Sequence, residues 1–123
     1  MFSRTVKPHV DKINSTVNTV NNLCDTCIKM IDSLAYSQMQ AVKDGYTRKE
    51  TVMPTLAKIA DMKLQLQNQK IIANSVLVQV DNLGMVNLTD PEIIFSIQNM
   101  DKALEGCINA VINIQNSIKE IVK

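Results

Sequence analysis

The sequence predicts an all-α fold: one domain over residues 1–123, built as an up-down-up antiparallel three-helix bundle of long helices with coiled-coil-like heptad packing. Three observations lead there. Apolar residues recur alternately at four and three positions through most of the chain, which places them on one side of a helix. Two short stretches, near residues 44–52 and 84–90, carry the Gly and Asp punctuation that interrupts helices, each with a proline (Pro54, Pro91) soon after it. The chain of 123 residues can bury one core and is too short for two.

The first helix, about 6–43, rests on Val6, Val10, Ile13, Val17, Val20, Cys24, Cys27, Ile31 and Leu34. Asn14, Asn18, Asn22, Asp25, Lys29 and Asp32 are left for its other faces. Lys43-Asp44-Gly45 supplies the stop, because glycine accepts the left-handed conformation that commonly ends a helix. The second helix, about 52–83, carries Leu56, Ile59, Met62, Leu66, Ala73, Val76, Val80 and Leu83, interrupted by Gln69. Thr47-Arg48-Lys49-Glu50 has the form of a capping box, but Pro54 would then fall inside the helix. A start near Thr51 avoids this; a start at Thr47 is the alternative. The β-branched run between Ile71 and Val80 is locally compatible with a strand. Its Leu- and Gln-rich approach and the helices on both sides favour helix, and Gly84 is the expected end.

The third helix, about 90–122, has the strongest start. Thr89-Asp90-Pro91-Glu92 combines a cap residue, a first-turn proline and a glutamate three positions on. Its seam is Ile93, Ile97, Met100, Leu104, Cys107, Val111, Ile114, Ile118 and Ile121; Ile94, Ile108 and Val122 widen the stripe, as a helix facing two others requires. Short links make successive helices antiparallel, and the seven-residue period implies a left-handed supercoil. In length and period the pattern resembles three-helix modules of the spectrin-repeat or syntaxin N-terminal kind. No motif residue of either family is present, so the likeness implies a shape and no function.

Composition excludes several classes of function. A formal charge of +1 gives no clustered excess of Lys and Arg to neutralise phosphates, so no nucleic acid partner is expected. No stretch approaches the ~20 apolar residues of an integral membrane segment, and the N-terminus lacks the apolar core of a secretory signal. The expected location is the cytoplasm or the inside of a virus particle, where three cysteines read as reduced thiols. The carboxylates are scattered over polar faces, His9 is the lone histidine and no glycine-rich phosphate loop occurs. An enzyme, a cofactor and a small-molecule substrate are therefore not expected.

Two groups of residues are candidate sites. Cys24-Asp25-Thr26-Cys27 has the spacing of metal knuckles and redox sites, but also that of adjacent seam positions, where cysteine is a small buried hydrophobe. Folding the chain back through its links brings Cys107 to the same level, and with it Asn68 and Gln69. This layer is expected either to bind a thiophilic metal or, as the favoured reading, to be a register-fixing polar core layer. The second group lies off the seams: Ile28, Val78, Phe95 and Ile112 as an exposed apolar patch, and Gly106 as a place where another backbone approaches.

The function expected from these features is a non-enzymatic helical interaction or structural module, acting through a protein partner or self-association within a multiprotein machine or virus particle. One alternative is a metal- or redox-active bundle using Cys24, Cys27 and Cys107. Another is a chaperone or adaptor that binds a partner's amphipathic helix in its own groove.

Overall fold

The computed structural model describes residues 2–122, so Met1 and Lys123 of the expected domain lie outside the described residues. Three helices, α1 (Lys7–Lys43), α2 (Lys49–Leu83) and α3 (Asp90–Val122), pack against one another in all three pairs, and there is no strand among the described residues. The all-α three-helix bundle is the observed fold. Every seam residue predicted for α1 and α3 is buried or packed against the core; Val10, Leu34, Met100 and Ile121 are its half-buried outer members.

Each helix end has a local cause. Gly45 closes α1 at φ +82°, the left-handed conformation expected of it. At α3, the Glu92 backbone N–H donates to Thr89 Oγ1 (3.4 Å), while the Thr89 hydroxyl donates to Glu92 Oε1 (3.0 Å). The predicted start of α2 needs correcting. The second helix begins at Lys49, earlier than the expected 52, and Pro54 sits inside it. The ring removes only the hydrogen bond to the Glu50 carbonyl, one turn from the end and open to water, and Val52 is buried, which holds this first turn against the bundle. The Thr47 capping box is not formed; Arg48 occupies the cap position without a side-chain bond.

Gly84 follows α2 in a right-handed conformation (φ −71°). Its lack of a side chain serves contact: a Cβ there would stand 3.2 Å from Cζ of Phe2. The N-terminal turn is thus laid over the α2–α3 link. Ser3 Oγ donates to Asp90 Oδ2 at 2.8 Å, and the Ser3 carbonyl accepts from the Lys7 backbone N–H at 2.9 Å.

The register of α1 against α2 is written in three polar pairs outside the core. Asn21 Nδ2 donates to Asn74 Oδ1 (2.9 Å), Lys70 Nζ to Asp25 Oδ1 (2.6 Å) and Lys63 Nζ to Asp32 Oδ1 (2.8 Å). Steps of four and then seven residues up α1 are matched by the same steps down α2. That is the heptad repeat of two antiparallel helices held in one register. Lys12 and Asp101 (3.0 Å) join α1 to α3.

Candidate functional site

The core of the bundle is where the sequence places its cysteines. Cys24 and Cys27 face inward because they occupy consecutive seam positions of α1, and Cys107 does so on α3; all three are buried free thiols. Cys24 lies within electrostatic reach of Cys27 and, with a smaller effect, of Cys107. Burial pushes the Cys24 thiol up to about 11, with Cys27 adding to the effect, Lys70 opposing it, and Asp25 and Cys107 contributing less. Burial likewise raises Cys27, against an opposing effect of Lys119, and raises Cys107. Metal binding and thiol exchange both need the thiolate, which this surrounding disfavours. Among the described residues no group of three or more His, Cys, Asp or Glu is placed to hold a metal ion. All three thiols sit in apolar packing, and that packing is not a ligand set.

The polar core layer expected from Asn68 and Gln69 is overturned. Asn68 is exposed and Gln69 half-buried, and no polar or charged side chain is buried among the described residues. Leu66 and Ala73 fill the inward positions of α2 on either side, both fully buried. A primary amide turned inward would face thiols, which are weak partners, and would lose its hydration without replacement. Both amides instead line a groove of about 520 Å³ between α2 and α3, with Lys58, Gln65, Asn113 and Ser117.

The candidate partner residues do not form one patch. Ile28 is half-buried and packs on the core, so it is not an exposed contact. Phe95 and Ile112 are exposed, but they stand 17 positions apart on α3, about 25 Å at the helical rise. Gly106 is exposed and a Cβ there would meet nothing within 4 Å, so within this chain no neighbour requires the glycine. Val78 is exposed too, and it belongs to a feature that the reading of single off-seam residues missed.

That feature is a second seam on α2. Met53, Ala57, Ala60, Leu64, Gln67, Ile71, Asn74 and Val78 follow one another at four and three positions, and every one of them is exposed. At 100° per residue Met53, Ala57, Leu64, Ile71 and Val78 lie on the far side of α2 from Ile59, Leu66, Ala73 and Val80, the core residues, with Gln67 and Asn74 at the edge, where Asn74 meets Asn21 of α1. Leu64, Ile71 and Val78 are 56%, 67% and 60% exposed, so more than half of each aliphatic side chain faces water. Met85, in the link that follows, is also exposed. The signal was present in the sequence as a heptad offset from the first.

Elsewhere, Met30, Leu34 and Val122 line a mainly apolar groove of about 530 Å³ between α1 and the end of α3. His9 lines a smaller one with Lys12 and Asp101, about four turns of α1 away from the thiols. Among the described residues no helix is long and apolar enough to cross a membrane. Compared with known protein families, with curated proteins and with solved structures, the chain finds no match in any of the three.

Proposed function

We propose that this chain is a non-enzymatic helical interaction module that takes its place in a larger protein assembly through helix-to-helix contacts. The observation that carries the reading is the two-sided apolar patterning of α2: one seam fills the core, and a second, in the same heptad rhythm, faces out. A helix that is apolar on opposite sides is normally enclosed on both. Exposed leucine, isoleucine and valine at regular spacing form a surface that loses free energy when another helix covers it.

The test is replacement of Ile71 with Asp in the native source. The variant keeps the helicity and melting temperature of the parent chain, because Ile71 makes no core contact, and it is lost from the assembly that the parent enters. A variant retained in that assembly at the parent's level would overturn the proposal. A second reading, an adaptor that receives a partner's amphipathic helix, is favoured by the apolar groove at Met30, Leu34 and Val122. Leu34→Asp would then remove the partner while Ile71→Asp would not.

A further inference from the structure

We infer that the outward seam of α2 is a self-association surface, covered by the same seam on a second copy of this chain. The inference rests on the interaction-module reading and names the partner.

Periodicity specifies the kind of occupant. A four-and-three repeat held from Met53 to Val78 is the spacing at which one helix follows another, so the surface fits a helix better than a loop or a sheet edge.

Charge specifies which helix. No seam position from Met53 to Val78 is charged. On one flank Lys63 and Lys70 are turned to Asp32 and Asp25 of α1. On the other, Asp61 accepts from the Gln65 amide at 2.7 Å, and Asn68 and Ser75 follow it without charge. A partner presenting acidic side chains would find both lysines already engaged, and one presenting basic side chains would find a single carboxylate, Asp61, at the flank. A two-fold interface makes the complementary demand that a patch match itself. Like charges fail that demand, whereas aliphatic side chains meet it by burial and amides meet it because each is both donor and acceptor. Leu64, Ile71 and Val78 with Gln67 are of those two kinds, while Asn74 at the edge of the seam is already paired with Asn21 of α1.

Extent is the third consideration. From Met53 to Val78 the seam runs roughly 38 Å at the helical rise. With its flanks it brings roughly 15 to 20 residues of each copy into contact, just under the range of standard specific interfaces. The association is therefore reversible and depends on concentration.

Sedimentation of the purified full chain across the micromolar range tests this. A monomer–dimer equilibrium is expected. Ile71→Asp and Leu64→Asp should each weaken it about tenfold or more, a loss of about 1.4 kcal/mol or more. Phe95→Asp, on α3, should change it less than about twofold. Circular dichroism of each variant confirms that the bundle is intact. A chain that stays monomeric at every concentration, or a dimer indifferent to Ile71→Asp, overturns the inference. The two proposals fail separately. If the purified chain is monomeric while Ile71→Asp is still lost from its native assembly, only the second-copy inference falls; if that variant is also retained there, both fall.

Discussion

A thiol with no exposed surface, set among aliphatic side chains, is held in its protonated form by the absence of water around it. For Cys24 the consequence is a pH dependence of stability whose sign follows from the direction of the shift. The unfolded chain loses this proton near 9 and the folded chain near 11. Stability from this residue is therefore complete below pH 9 and is lost as pH rises from 9 to 11, up to about 2 to 3 kcal/mol. Comparing chemical denaturation of the parent with Cys24→Ala across that window isolates the effect. All three thiols should react with a thiol reagent far more slowly in the native chain than in denaturant; one that reacts at the unfolded rate under native conditions would contradict its burial. That the three thiols are buried was legible from their seam positions, and folding back through two short links sets approximate height along the bundle. Height does not fix direction. Asn68 and Gln69 follow the inward-facing Leu66 by two and three residues, and at 100° per residue that turns them to solvent and groove.

The three helices differ in how openly they announce themselves, and the difference is physical. On α1 and α3 a single apolar seam stands out from polar faces, and both were read to within about a residue of their ends. On α2 two seams overlap in the text of the sequence. Val76 and Val80 point to the core while Ile71 and Val78 point outward, so the interleaved run looks β-branched and continuous, as a strand would. Helix ends yield a matched pair of predictions. Thr89→Ala removes the cap of α3 and should lower stability by about 1 kcal/mol, whereas Arg48→Asp supplies the cap that α2 lacks and should raise it by a similar amount, as shifts in the urea midpoint at unchanged slope. The Asp also replaces a positive charge at a helix start, where negative charge is favoured.

Across the whole molecule the division of labour is between an apolar interior that supplies the stability and a polar border that sets the alignment. Leu66→Ala, at full burial, should lower unfolding free energy by about 2 to 5 kcal/mol. The Asp25–Lys70 pair, about half and one-third exposed, should show a coupling below about 1 kcal/mol in a double-mutant cycle, smaller still in high salt. Because the pairs at Asn21, Asp25 and Asp32 meet their α2 counterparts at matching intervals, the bundle is modular along its axis. One residue deleted between Asp25 and Asp32 would rotate the remainder of α1 by about 100° and misalign everything beyond it. Seven residues taken from each helix at one level would leave the cross-section and the pairing beyond the cut unchanged. Such a molecule has a natural unit of length: it can be shortened or extended in whole heptads, like a ruler cut only at its graduations.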